Sequence, residues 1–233
     1  MRALKHPRLA ATAGYLALAV TDSYLAGRPG PAARRVRYVS KPLLMPTLAT
    51  ATHLAAGDGA AGLVRGVQAA QAFSWGGDVA LLGRGRTSFL SGVGSFLLAH
   101  VAYIGGFLTA KDPDAGLTSP GAKAGAGAWA ATAPVLALAA GRQDPTLRGP
   151  IATYAGVLSA MFATSTMLKR SMPARARRQV LAGSALFLLS DSLLGTGKFL
   201  LEEPHPALES AVMATYTGGQ WLIAEGAAAA SRS

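Results

Sequence analysis

The sequence contains no cysteine and only four histidines. Without cysteine the chain forms no disulfide bonds, has no thiolate nucleophile and offers no thiolate ligand to a metal. The histidines include no His-x3-His pair, which a zinc hydrolase would use, and there is no Gly-x-Ser-x-Gly nucleophile motif. Thiol, zinc and serine-hydrolase chemistry therefore explain this chain poorly, and we expect neither a metal nor another cofactor.

Charged residues are also scarce, at 14% of the 233 residues, whereas hydrophobic residues make up 51%. Much of the apolar content is Ala and Gly, so a soluble Ala-rich helical protein is the alternative to a membrane protein. Two segments argue against it, because neither 87–110 nor 149–168 contains Asp, Glu, Lys or Arg. About 20 apolar residues span a bilayer, and a soluble surface helix would carry a polar face. The sequence therefore predicts an all-α, polytopic membrane helix bundle, with residues 1–233 as a single integral membrane domain.

The apolar segments separate into eight predicted spans. Most of them end where charged residues occur together with Gly or Pro, and Gly and Pro terminate helices. Because the connections are short, we expect one bundle without a soluble domain. A loose F-x3-4-D-x2-L pattern in the third and seventh spans is typical of a four-plus-four internal repeat. In chain order, the predicted spans are 9–26, 42–57, 61–82, 87–110, 122–140, 149–168, 179–199 and 209–227.

The net charge of +11 does not indicate a nucleic-acid-binding protein. The basic residues cluster in loops beside the spans, where they are typical of contacts with anionic lipid head groups. We therefore expect the lipid bilayer as a partner and no nucleic acid. The positive-inside rule does not orient the chain, because the two sets of loops carry nearly equal numbers of Lys and Arg. The sequence leaves the oligomeric state open.

Two acidic residues lie well inside predicted spans, where a charged side chain is costly and indicates a functional site. Asp78 is in the third span and Asp191 in the seventh. The two spans run in the same direction, and each carboxylate lies about 10 Å below a basic residue at the span end. Asp22 lies at a similar depth in the first span, and Lys41 opens the second span from the same face. Three acids and a lysine are thus expected near one face of the membrane.

Each of these residues also has a structural interpretation. Asp22 is near a span end, where contact with a neighbouring Arg would explain it. A buried ion pair with Lys41, or a polar contact between helices, would explain Asp78 and Asp191. We favour function for this pair because two acids at one depth are what acid–base chemistry requires. His100 is expected about 20 Å below the same face, deeper than the acids, by the helical rise.

Paired carboxylates in a low-dielectric site repel each other, so one keeps its proton while the other is ionised. Such a pair supplies a general acid and a general base at neutral pH. This arrangement suits the addition of water to an acid-sensitive ether through an oxocarbenium-like state. A function of another class uses the same groups, since a proton-coupled transporter or lipid-binding scaffold would employ the acids as a proton relay.

Five short motifs follow one another along the chain: Lys41-Pro42-Leu43, Gly77-Asp78, His100-x2-Tyr103, Ser190-Asp191 and Tyr216-x3-Gln220. In this order the set resembles the YhhN-like membrane proteins, which are lysoplasmalogenases, or alkenylglycerophosphocholine and alkenylglycerophosphoethanolamine hydrolases. The resemblance runs from about the first span to the last. It implies an eight-helix integral membrane enzyme, multi-pass in the bacterial inner membrane, that hydrolyses the vinyl ether bond of a lysophospholipid to a fatty aldehyde and a glycerophospho-base.

The resemblance also implies roles for individual residues. One of Asp78 and Asp191 acts as the acid and the other as the base, in an order that the sequence leaves open. The other residues expected at the substrate are Lys41, His100, Tyr103, Ser190, Tyr216, Gln220 and Asp22. We expect Lys41 and the basic rim (Arg28, Arg84 and Lys198) to hold the phosphate, with the alkenyl chain deeper, near His100 and Tyr103. Because many bacteria make no plasmalogen, another lyso-lipid or alkenyl ether stays open as the physiological substrate.

Overall fold

A computed structural model describes residues 5–233, and this part of the chain consists of α-helices joined by short loops. The predicted all-α bundle is confirmed. A single 3₁₀ turn, Pro145–Leu147, precedes the sixth helix. The helices of the described part are α1 (Lys5–Ala26), α2 (Pro31–Ala55), α3 (Ala61–Leu82), α4 (Gly85–Thr109), α5 (Pro120–Gln143), α6 (Arg148–Ser165), α7 (Ala174–Phe199) and α8 (Pro206–Ala230).

The second helix is longer than predicted. Pro42 was expected to open it, but α2 begins at Pro31 and continues through both Pro42 and Pro46. A proline inside a helix lacks the N–H that would pair with the carbonyl four residues earlier. For Pro46 that carbonyl belongs to Pro42, and the indole Nε1–H of Trp75 donates to it at 3.0 Å. A neighbouring helix thus supplies the hydrogen bond that the proline removes, and Lys41 lies inside α2 instead of at its start.

Two helix pairs pack closely through glycine. A Cβ on Gly183 of α7 would lie 2.6 Å from the carbonyl oxygen of Gly219 on α8, and one on Gly106 of α4 would lie 3.0 Å from the Cα of Gly66 on α3. Small residues allow such approach between membrane helices. Both acids predicted to be functional lie on these pairs, Asp78 on α3 and Asp191 on α7. The similarity of the pairs agrees with the four-plus-four repeat, which itself stays a prediction.

Three of the described helices, α4, α5 and α7, are long and apolar enough to cross a membrane. Large apolar side chains on their outer faces are exposed, among them Leu98 and Val101 on α4 and Leu138 on α5. These faces suit contact with lipid. The prediction of a membrane protein is confirmed, and the crossing of all eight helices stays a prediction.

Candidate active site

A cavity of about 420 Å³ opens at one end of the bundle. At this end, which we call the mouth, α3, α5 and α7 end and α2, α4, α6 and α8 begin. The wall of the cavity is mainly apolar. The predicted site residues that line it are Lys41, Asp78, Ser190, Asp191 and Tyr216.

Asp78 is enclosed by two helices that face it. Its side chain is 1% exposed, and its Oδ1 lies 3.5 Å from Nζ of Lys41 on α2. The hydroxyl of Tyr216 on α8 donates to its Oδ2 at 2.8 Å. Side chains lean toward the amino end of their helix, so Asp78 points away from the mouth and Tyr216 points toward it. Asp78 is therefore buried and has both a charged partner and a hydrogen-bond donor.

Asp191 has different surroundings. The hydroxyl of Tyr154 on α6 donates to its Oδ2 at 2.5 Å, and Nε2 of His100 on α4 lies 3.6 Å from the same oxygen. The side chain is 11% exposed. Within the described part of the chain, no Lys or Arg forms an ion pair with it. Asp191 is thus the more accessible of the two carboxyl groups, with an uncharged hydroxyl as its hydrogen-bond donor.

His100 lies beside Asp191, not about 10 Å below it as predicted. The prediction compared the positions of the two residues along their helices. However, α4 begins at the mouth and α7 ends there, so the two side chains lean toward each other. Their lean shortens the separation that helical rise alone implies.

Packed aromatic rings lie behind the cavity wall, next to the carboxyl groups. The ring of Phe187 packs edge to face with those of His100 and Tyr103, with centroids 4.8 and 6.3 Å away. Tyr103 donates to Oε1 of Gln220, whose Nε2 donates to the hydroxyl of Ser74 at 2.9 Å. His100, Tyr103 and Gln220 are fully buried and lie behind the cavity wall. Neither His100 nor Tyr103 lines the cavity, and the expectation that an alkenyl chain lies near them stays a prediction.

Asp22 also lies behind the wall, where it holds an arginine. Both of its carboxylate oxygens accept from the guanidinium of Arg37 at 3.3 Å, and Ser40 donates to Oδ1 at 2.9 Å. Asp22 is fully buried, and Arg37 lines the mouth of the cavity. The structure thus supports the interpretation of Asp22 as the partner of a neighbouring Arg.

The basic residues at the mouth differ from those expected. Arg37 and Lys198 line the cavity, whereas Arg28 and Arg84 do not. Arg28 instead lies over the ring of Tyr24, 4.6 Å from its centroid. Glu209 also lines the cavity, and its Oε2 is 3.9 Å from Nη1 of Arg37. Besides Lys41 and the two aspartates, the charged residues of the described lining are therefore two cations and one acid.

Sequence reasoning missed Tyr154 and Arg37. Tyr154 is a tyrosine in a predicted span that contains no charged residue. It lies on the same helix face as Ile151 and Leu158, and this shared face is the signal that would have found it. Arg37 was assigned to a loop because α2 was expected to begin at Pro42. Within the described residues, no group of three or more His, Asp or Glu side chains is arranged to hold a metal ion.

The sequence model of the YhhN family matches residues 36–227. The match extends from α2 into α8 and includes every residue that lines the cavity. No curated protein and no solved structure matches the chain.

Proposed function

Since the chain belongs to the YhhN family and is a membrane protein, we propose that it hydrolyses the vinyl ether bond of a lysoplasmalogen-type lysophospholipid. The products are a fatty aldehyde and a glycerophospho-base. We further propose that residues 1–233 act as one domain in the bacterial inner membrane, with all eight helices crossing it. The observation that carries the proposal is that Asp78 and Asp191 line one cavity in different electrostatic surroundings.

We infer a role for each carboxyl group from its surroundings. Lys41 stabilises the ionised form of Asp78, because an opposite charge within about 4 to 6 Å favours a charged carboxylate. No Lys or Arg among the described residues forms an ion pair with Asp191, whose neighbours are the Tyr154 hydroxyl and His100, and we infer that Asp191 is the group that keeps its proton. In this proposal Asp191 is the general acid and Asp78 the general base, a division that environment alone produces in paired carboxyl groups.

The reaction begins with a proton transfer to carbon. The Asp191 carboxyl O–H bond breaks, and the π electrons of the alkenyl group form a C–H bond at its β-carbon. Positive charge then develops at the α-carbon as an oxocarbenium ion. Water attacks the α-carbon, and its proton passes to the Asp78 carboxylate, which gives a hemiacetal.

Collapse of the hemiacetal restores both acids. The bond between the α-carbon and the glycerol oxygen breaks as the aldehyde carbonyl forms. The glycerol oxygen takes the proton held by Asp78, and the hemiacetal hydroxyl returns a proton to Asp191. The sum is the addition of one water molecule and cleavage of one C–O bond.

The lipid would lie with its phosphate at the mouth. Arg37 and Lys198 line the mouth and are suited to an anionic phosphate. The alkenyl chain would follow the apolar wall formed by Val93, Leu136 and Leu158. The packed rings next to the carboxyl groups would keep the chain from passing deeper.

Mass spectrometry of aldehyde released by the purified protein in liposomes of defined lysoplasmenyl lipid tests the proposal. Asp78→Asn and Asp191→Asn should each lower the turnover by about 10²- to 10⁴-fold, the usual contribution of a general acid or base. Asp58→Asn is the matched control, because Asp58 is an exposed acid in the α2–α3 loop at the opposite end of the bundle. Near-normal turnover in either site variant would refute the acid–base pair.

A proton-coupled transporter is the second candidate, because buried polar contacts continue below the site. Asp78, Ser74 and Gln71 lie along one face of α3. Ser74 contacts Gln220 on α8, and Gln71 donates to Thr52 on α2 at 3.0 Å. Such a series of groups resembles a proton relay. The same liposomes distinguish the two functions, since a transporter would move lipid or solute in response to a pH gradient and release no aldehyde.

A further inference from the structure

Tyr154 contacts the proposed acid from inside the cavity. It lies on α6, one helix turn from both Ile151 and Leu158, and all three line the cavity. Its hydroxyl donates to Oδ2 of Asp191 at 2.5 Å. Its ring stands perpendicular to that of His100, with centroids 5.2 Å apart. The hydroxyl is therefore held in place by both its own hydrogen bond and the packing of its ring.

The two neighbours of Asp191 meet the same oxygen. Nε2 of His100 is 3.6 Å from Oδ2, the atom that accepts from Tyr154. From the described part of the chain, Oδ1 accepts no hydrogen bond. A protonated carboxyl group has one carbonyl oxygen, which accepts, and one hydroxyl oxygen, which donates. Because Oδ2 is occupied as an acceptor, the hydroxyl belongs on Oδ1.

We propose that Tyr154 is a positioning residue that fixes the acid proton of Asp191 on Oδ1, on the side of the carboxyl group free to donate to substrate. This inference rests on the proposed function. Proton transfer to carbon needs the O–H bond aimed at the alkenyl β-carbon, and a carboxyl group free to exchange its two oxygens would aim it only part of the time. Tyr154 removes this freedom without entering the reaction itself.

Infrared difference spectra between the purified wild-type protein and its variants test the inference without any substrate. A protonated Asp191 gives a carboxyl C=O band that Asp191→Asn abolishes. In Tyr154→Phe the ring stays and the hydroxyl is lost, so the carbonyl oxygen Oδ2 loses its donor and the band should move to higher frequency. Tyr15→Phe is the matched control, since the buried Tyr15 hydroxyl donates to the backbone oxygen of Thr217 at 2.7 Å instead of to a carboxyl group.

Turnover gives the second readout. In Tyr154→Phe we expect kcat to fall about tenfold, on the order of one hydrogen bond to the reacting group, with KM unchanged. The solvent deuterium isotope effect on kcat should rise, because proton transfer to carbon then limits the rate more strongly. Loss of folded protein would lower the measured rate without changing this isotope effect, and Tyr15→Phe should change neither kcat nor the isotope effect.

The outcomes separate this inference from the proposed function. If the carboxyl band has the same frequency in Tyr154→Phe as in wild type, the role of Tyr154 is overturned. If no band depends on Asp191, the proposal that Asp191 is protonated is overturned. If Tyr154→Phe shifts the band but the wild-type protein releases no aldehyde, the contact is supported and the hydrolase is refuted. A shifted band with unchanged kcat would refute the positioning role alone.

Discussion

Replacing Lys41 by Met removes the charge that faces Asp78 and keeps a side chain of similar length. Nζ of Lys41 is 3.5 Å from Oδ1 of Asp78, and it also lies 3.8 Å from the sulfur of Met213. At that separation from the carboxylate, with an effective dielectric constant of about 20, the attraction is about 5 kcal/mol. Removing one partner of a buried pair typically costs about 3 to 5 kcal/mol. Proton uptake by Asp78 limits this cost, so we expect a loss of about 3 kcal/mol in the free energy of unfolding.

Activity should fall together with stability, because a protonated Asp78 does not accept a proton from water. We expect Lys41→Met to lower aldehyde release by about 10²-fold or more. The double variant Lys41→Met/Asp78→Asn carries no buried charge at this position and should regain most of the lost stability while staying inactive. Unfolding in detergent, followed by circular dichroism, measures the stability of the two single variants and the double variant.

Two results would refute this reasoning. Lys41→Met with wild-type stability would show that the ion pair with Asp78 contributes little. Lys41→Met with wild-type aldehyde release would show that Asp78 needs no cation to act as the base. Lys198→Met, at the mouth, is the matched control for loss of a lysine charge. Nζ of Lys198 lies 4.3 Å from the centroid of the Phe89 ring, so this variant should lower the free energy of unfolding by at most about 1 kcal/mol.

Three further predictions concern separate parts of the chain. Lys198→Gln should raise KM for a phospholipid substrate about tenfold with a smaller change in kcat, as steady-state kinetics on defined lipids would show, because a phosphate-binding charge is lost at the mouth. Trp75→Phe should lower the free energy of unfolding by about 1 kcal/mol, since the carbonyl of Pro42 loses its donor. Hydrogen bonds from the side chain and backbone of Thr146 lower the pKa of Asp144, so its contribution to stability is present above the ordinary pKa of an aspartate and is lost as the pH falls through the lowered value. Unfolding of Asp144→Asn and wild type should therefore differ at pH 7 and converge in acid.

The helices were largely predictable because long apolar segments, and the Gly or Pro residues that end them, are local signals in the sequence. The start of α2 was not, since Pro42 normally indicates a helix end. The helix also continues through Pro46, where the Pro42 carbonyl that loses its N–H partner accepts instead from Trp75, a residue of another helix. A sequence pattern does not reveal that a distant indole donates to a particular carbonyl.

The candidate site was partly predictable for a similar reason. Their positions near the same face of the membrane predict that Asp78 and Lys41 come close, and Nζ of Lys41 lies 3.5 Å from Oδ1 of Asp78. The contact of His100 with Asp191 depends on the opposite lean of two side chains, which positions along the helices do not contain. Tyr154 carries no charge, and the helix face that it shares with Ile151 and Leu158 indicates a site only once α6 is placed against α7.

The packing of the aromatic rings next to the site could not be predicted from the sequence either. Phe187 lies three residues from Ser190 on α7, and its separation from His100 and Tyr103 on α4 depends on how α4 and α7 are turned toward each other. Only this three-dimensional arrangement shows that His100 and Tyr103 lie behind the wall of the cavity. The place of the alkenyl chain stays a prediction.

Isotope tracing in a single turnover tests the central claim most directly. The wild-type protein is supplied with lysoplasmenyl lipid in liposomes prepared in D₂O or in ¹⁸O-labelled water. The aldehyde is trapped at once by reduction, and the masses of both products are measured by mass spectrometry. Protonation of the β-carbon by Asp191 and attack of water on the α-carbon predict one deuterium on the carbon next to the former carbonyl and no ¹⁸O in the glycerophospho-base. Incorporation of ¹⁸O into the glycerophospho-base, or the absence of aldehyde, would contradict this mechanism.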